Sequence, residues 1–190
     1  MAYYSEEQLL KIGFKHVGSN VKISDKASIY DAEEIEIGDH SRIDDFCVIS
    51  GKVSIGNYCH ITPMCLVAGG KLGVLISDFS SLAYGVKVFS QSDDYTGESM
   101  VNSLIPKKYK SEIFDKVRIE RHVVVGANAV ILPGVTVREG CAIGASALLL
   151  KSTDAWGIYA GVPASRIKER SKKILELEAK FLEEGFHDSI

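Results

Sequence analysis

A spacing of six constrains this chain more than any other feature. Ile37, Ile43, Ile49, Ile55, Ile61 and Val67 recur at that interval, Ile119, Val125, Ile131, Val137, Ile143 and Leu149 repeat it, and Ile76, Leu82 and Val88 lie between, fifteen aliphatic positions in phase. A helix repeats its buried face about every 3.6 residues and a lone strand about every 2, so neither explains the pattern as one continuous element. Short strands joined by corners do. A second period confirms them: Ile35-Glu36-Ile37-Gly38 is followed 18 residues later by Val53-Ser54-Ile55-Gly56, and Val117 to Ile119 by Val135 to Val137 at the same offset. Three hexads per coil describe a triangular solenoid whose coils stack their apolar residues into one core. Gly38, Gly56, Gly126 and Gly144 each follow an inward aliphatic, where a Cβ crowds the corner. Cys47 and Cys65, 18 apart, share one coil position and read as a packed ladder.

The register breaks twice. From Val53 to Val74 the step is 21, an insertion near Ala68-Gly69-Gly70; from Val74 to Val117 it is 43, one coil of 18 plus an excursion from about Gln91 to Lys116. That excursion carries SDDYTGE, Pro106 and four lysines. Long insertions in compact repeat domains are functional or disordered, and Asp93, Asp94 and Tyr95 favour function. At the ends, Ser5-Glu6-Glu7-Gln8 reads as a capping box opening a short helix. The tail SKKILELEAKFLEE places Ile174, Leu177, Phe181 and Leu182 near one face of an amphipathic helix, expected to pack on a neighbour. The expected plan is a single domain, 1–190, with a cap over 1–20, a mainly β solenoid over 21–152 with its excursion at about 91–116, and a C-terminal segment and helix over 153–190.

Composition narrows the partners. With 22 Lys and Arg against 25 Asp and Glu, and a net charge of -3, there is no electrostatic reason to expect nucleic acid. The start has no basic region followed by an apolar run, and no stretch reaches the roughly 18 apolar residues of a membrane span, so a soluble, cytoplasmic protein is expected. Cys47, Cys59, Cys65 and Cys141 show no metal-ligand spacing, and no metal is expected.

The segment HVVVGANAVILPGVTVREGCAIGASALLLKS followed by YAGVPASRIK resembles the C-terminal part of the hexapeptide-repeat acetyltransferases that modify sugars and nucleotide sugars. What the resemblance implies is a left-handed parallel β-helix, a homotrimer, acetyl-CoA as donor, active sites between subunits and a sugar or nucleotide-sugar acceptor, its hydroxyl or amine acetylated in cell-envelope polysaccharide synthesis. It also implies that small residues line the pantetheine groove. The matching positions are Gly126, Ala127, Gly144, Ala145 and Gly161, with Lys151, Arg166 and Lys168 placed to meet the CoA phosphates.

An acceptor attacking the thioester must lose a proton, and histidine suits that task near neutral pH. Galactoside-type members carry their catalytic histidine in the excursion, where this chain has none. His16 and His187 lie in terminal segments, and His40 and His122 at corner-like positions three residues before inward ones. His60 differs: in GNYCHITP it directly precedes inward Ile61, and related nucleotide-sugar acetyltransferases have a similar segment beside acetyl-CoA. His60 is therefore the expected base, with cofactor binding as its other reading. Asp93, Asp94 and Tyr95 are the expected acceptor-binding residues, the alternative being a turn. Two further functions fit the fold. One is a non-catalytic scaffold; the other is a gamma-carbonic-anhydrase-like zinc enzyme, for which the closely paired histidines are missing.

Overall fold

The computed structural model describes residues 2–184. The chain winds into a three-sided solenoid of parallel strands. Face 1 stacks His16–Val17, Ile35–Ile37, Val53–Ile55, Val74–Ile76, Val117–Ile119 and Thr136–Val137; face 2 stacks Lys22–Ile23, Arg42–Ile43, His60–Ile61, Ser81–Leu82, Val124–Val125, Ala142–Ile143 and Gly157–Ala160; face 3 stacks Ser28–Ile29, Val48–Ser50, Leu66–Ala68, Lys87–Phe89, Val130–Ile131 and Leu148–Leu149. The strands are short because three sides must be turned in each coil.

All fifteen in-phase aliphatics point inward and none is more than 3% exposed. Burying each such side chain contributes about 1.5–3 kcal/mol. A second buried column runs two residues ahead of the first and holds all four cysteines, each at most 1% exposed and none in a disulfide. Burial pushes the Cys59 thiol up to about 11, which keeps it protonated and inert near neutral pH. Both breaks in register are absorbed at corners: Val53 still pairs with Val74, and Val74 with Val117. A Cβ on Gly38 would lie 2.7 Å from the carbonyl carbon of Gly56, so the expected crowding is real.

The solenoid starts earlier and ends later than the hexads indicate. His16 already pairs with Glu36, so it belongs to the first rung rather than to a terminal segment. Val17, Ile23 and Ile29 are themselves six apart, but a short 3-10 turn at Ala32–Glu34 shifts their phase against Ile37. Beyond residue 152, Gly157–Ala160 adds a parallel rung, and Ser165–Glu169 folds back antiparallel upon it.

Helix α1 (Glu6–Ile12) has the expected capping box, with Gln8 N–H donating to Ser5 Oγ and Ser5 N–H to Gln8 Oε1, and it lays Leu9 over the core. Helix α2 (Lys173–Glu184) packs on its own coils: Phe181 meets Tyr58 and Phe79 edge-on at centroid distances of 5.3 and 6.3 Å. Leu177 and Leu182, expected on the same face, remain 54% exposed. Among the described residues no helix is long and apolar enough to cross a membrane. His187 lies outside the described residues.

Candidate functional site

Three groups of expected site residues occupy different parts of the prism. The first is centred on His60. Ile61 points into the core, which turns His60 outward on face 2, its side chain 41% exposed. The neighbouring rung places Arg42 directly opposite it. Asp44, two residues after Arg42, is 3% exposed; its Oδ2 lies 2.9 Å from His60 Nε2, and its Oδ1 accepts a hydrogen bond from Arg42 Nε at 2.5 Å. The Arg42 guanidinium lies over the Tyr3 ring at 5.5 Å. The sequence reading missed Arg42 and Asp44, although the 18-residue offset between Arg42 and His60 signals that they are neighbours.

The second group is the excursion, which leaves face 3 and returns to face 1 as an arm. Its neck is an antiparallel pair, Gln91–Ser92 with Ile113–Phe114, braced by Gln91 Nε2 donating to Glu112 and by a Lys110–Glu112 ion pair at 3.3 Å. The Asp94 carboxylate accepts from the backbone N–H and hydroxyl groups of both Thr96 and Ser99 at 2.8–3.1 Å. These bonds, led by those from Thr96, hold its carboxyl below the usual carboxylate range. Asp94 thus shapes the turn. Among the described residues the Asp93 carboxylate accepts one long bond, 3.4 Å, from the Asn102 N–H, and Tyr95 stands 92% exposed. At the foot of the arm lies a cleft of about 500 Å³, floored by Ser50, Gly70 and Phe89 of the coils. Its charged lining is Asp31, Asp93 and Glu112 against the single cation Lys110, which gives the cleft a net negative charge.

The third group stacks on the corner between faces 2 and 3. Gly126 N–H donates to Ile143 O, Gly144 N–H to Tyr159 O, and Ser146 N–H to Ala127 O, each at 2.7 Å, while Leu148 N–H donates to Gly161 O at 3.0 Å. A Cβ on Gly126 would sit 2.5 Å from Ala145 N, so the close approach of the Gly144–Ala145 backbone at this rung favours glycine. Ala145 and Gly161 are exposed, which leaves backbone open along this edge. Arg166 and Lys168 lie on the folded-back strand; Arg166 is bonded to Glu169 at 2.6 Å, whereas Lys168 and Lys151 make no ion pair among the described residues.

His60 and the arm do not meet within one chain, because His60 faces out from face 2 while the arm leaves the opposite corner, between faces 3 and 1. One further cation was not foreseen. Arg170 Nη1 donates to the carbonyls of His122, Gly140 and Cys141 at 2.7–3.2 Å and ties the C-terminal segment to the coils. No local sequence pattern announces a contact across 48 residues.

Residues 34–69 and 116–151 match the bacterial transferase hexapeptide (six repeats) pattern. A dTDP-4-amino-4,6-dideoxy-D-glucose acyltransferase of Escherichia coli is 42% identical over 193 residues, covering 100% of each chain. The structure of AntD, an N-acyltransferase from Bacillus cereus, in complex with dTDP and 3-hydroxybutyryl-CoA, superposes with a TM-score of 0.94 at 45% identity, covering 96% of this chain and 97% of that one. A point variant of AntD holding dTDP-4-amino-4,6-dideoxyglucose and coenzyme A gives 0.96 at 45% identity, over 97% and 99% of the two chains.

Proposed function

The chain belongs to the hexapeptide-repeat acyltransferases, and on that premise we propose that it moves an acyl group from an acyl-CoA to the amine of a dTDP-linked 4-amino-4,6-dideoxy sugar. The observation that carries this reading is the likeness to the E. coli acyltransferase along the whole chain, arm included. The acidic cleft supports it, since its carboxylates outnumber its one lysine, which already pairs with Glu112, and Asp93, the less committed carboxylate of the SDDYTGE turn, is the group to receive the amine. Asp94 holds the turn, and Tyr95 at its surface contacts the acceptor. The donor class is wider than the acetyl-CoA expected from sequence, because AntD binds a 3-hydroxybutyryl thioester.

In the reaction the amine nitrogen attacks the thioester carbonyl, the tetrahedral intermediate expels the CoA thiolate, and the nitrogen's proton passes through His60 to that sulfur. His60 and the arm act together only if supplied by neighbouring copies, so the site forms between subunits of a homotrimer. Pantetheine lies along Gly126, Ala127, Gly144, Ala145 and Gly161, and Lys151, Arg166 and Lys168 hold the CoA phosphates.

The test is CoA release, followed with a thiol reagent, when the enzyme meets dTDP-4-amino-4,6-dideoxyglucose and either acetyl-CoA or 3-hydroxybutyryl-CoA. Turnover with the 4-amino sugar and none with its 4-hydroxy counterpart is expected; the reverse preference would make the protein an O-acyltransferase. Mixing His60→Ala with Asp93→Ala subunits should restore part of the activity each lacks, and failure of the mixture to do so counts against a shared site. Arg166→Ala and Lys168→Ala should raise the apparent constant for acyl-CoA while leaving turnover at saturation unchanged.

A further inference from the structure

We infer that Asp44 is the positioning residue that fixes His60 in the tautomer needed for its work as a base, an inference that rests on the role given to His60 above. Both carboxylate oxygens are engaged, Oδ1 by Arg42 Nε at 2.5 Å and Oδ2 by His60 Nε2 at 2.9 Å, so the group cannot rotate without losing a partner. An ionised carboxylate has acceptor capacity only. The ring nitrogen facing it must therefore carry the hydrogen. In the neutral imidazole this leaves the lone pair on Nδ1, and Nδ1 is the atom that takes the proton. A buried carboxylate that dictates which imidazole nitrogen is basic is a general device of acid–base catalysis.

The coil itself does not require a carboxylate here. Asp44 directly follows an inward aliphatic, and the same position in the other rungs is held by Ser24, Thr62, Ala83, Gly126 and Gly144. Each of these residues donates its backbone N–H to the next rung as Asp44 does to Ile61 O, at 2.7–3.0 Å. Rung geometry is thus satisfied by serine, threonine, alanine or glycine. Asp44 is the one ionisable residue among these six, and it is also the one beside a histidine. Burying a charge at such a site is costly unless it is paired. Arg42 provides the pairing, and it is aligned by facing His60 across the ladder and by stacking on Tyr3.

The test compares Asp44→Asn, His60→Ala and the double variant at saturating donor and acceptor. Asparagine keeps the volume but turns its NH2 toward Nε2, which drives the hydrogen to Nδ1. His60→Ala should lower kcat by about 100- to 10,000-fold. Asp44→Asn should lower kcat within the same range with the acyl-CoA KM unchanged, and the double variant should be no slower than the worse single one. Nitrogen-15 NMR of the wild-type enzyme should show His60 protonated at Nε2, and of Asp44→Asn at Nδ1. Full turnover in Asp44→Asn beside a slow His60→Ala overturns this inference and spares the base. Full turnover in His60→Ala removes the base, and with it any catalytic meaning of Asp44. If Asp44→Asn does not fold, the wild-type spectrum still decides, because a hydrogen on Nδ1 there refutes the positioning role.

Discussion

Two corners of the prism have the same backbone and opposite surroundings. Between faces 1 and 2, His40, Tyr58, Phe79, His122 and Trp156 take the left-handed conformation at φ 54–59°; between faces 2 and 3, Phe46, Met64, Asn128 and Ser146 do so at 57–66°. Left-handed backbone costs an ordinary residue about 1–2 kcal/mol. At the first corner the rings form a ladder, His40 on Tyr58 at 4.8 Å, Tyr58 on Phe79 at 5.0 Å and Phe79 on His122 at 5.4 Å, and α2 covers it. Stacked rings contribute about 0.5–1.5 kcal/mol per pair beyond their buried area, which offsets the strain. At the second corner Met64 is 65% and Tyr84 62% exposed, and Phe46, 57% exposed, has Lys26 Nζ at 5.8 Å. Bulk in a strained conformation that is left largely uncovered is what a surface between copies requires, and the trimer proposed above supplies its cover. The column of small residues proposed above for pantetheine is the upper part of that edge.

The largest effect expected from this contrast lies three residues apart in one coil. Ile61→Asp places an unpaired carboxylate at a fully buried position, costs several kcal/mol and unfolds the chain. Met64→Asp, on the bare corner, leaves the circular dichroism spectrum and melting cooperative while shifting sedimentation to a smaller species. A Met64→Asp chain that melts like Ile61→Asp breaks the comparison.

A smaller effect isolates the clasp on the covered corner. His122 Nε2 lies 2.8 Å from Glu178 Oε2, Arg121 bonds the other oxygen, and His122 Nδ1 is buried with no hydrogen-bond partner among the described residues. Glu178→Ala strands the imidazole and should lower stability by about 1–3 kcal/mol, read as a reduced urea midpoint with an unchanged slope. Equal midpoints for the variant and the wild type would mean that α2 rests on Phe181 alone.

The contrast also explains what was legible in the sequence. Inward positions obey one rule in every coil, so the period of six, the insertion near residue 69 and the arm could all be read from Ile37 to Leu149. Corner positions obey no such rule. Left-handed backbone calls for glycine or asparagine, yet Tyr58, Phe79 and Met64 occupy it, because stacking between rungs and cover from outside decide the outcome. His122 reads as an ordinary corner histidine, for its partner lies 56 residues away on a helix. Asp44 escaped notice because it follows an inward position, where glycine had suggested a purely steric role. The candidate site was half legible for the same reason: His60 and the SDDYTGE turn are local words, whereas the carboxylate that orients one and the cleft beneath the other are products of stacking.

The smallest effect is a difference in sign between two glycine substitutions. Met64→Gly relieves about 1–2 kcal/mol of left-handed strain and adds about 0.4–1 kcal/mol of unfolded-state entropy, so the isolated chain should be unchanged or slightly more stable. Tyr58→Gly receives the same relief but loses its stacks on His40 and Phe79 and its edge contact with Phe181, about 0.5–1.5 kcal/mol each. Its net change should be a loss of about 2 kcal/mol on the same reckoning. Urea melts at dilutions that separate the copies give both values on one scale. Opposite signs place the structural use of the ladder within a single chain and that of Met64 outside it. Should Met64→Gly lose as much as Tyr58→Gly under those conditions, the second corner is packed within the chain, and its exposed bulk is no longer an argument for a neighbour.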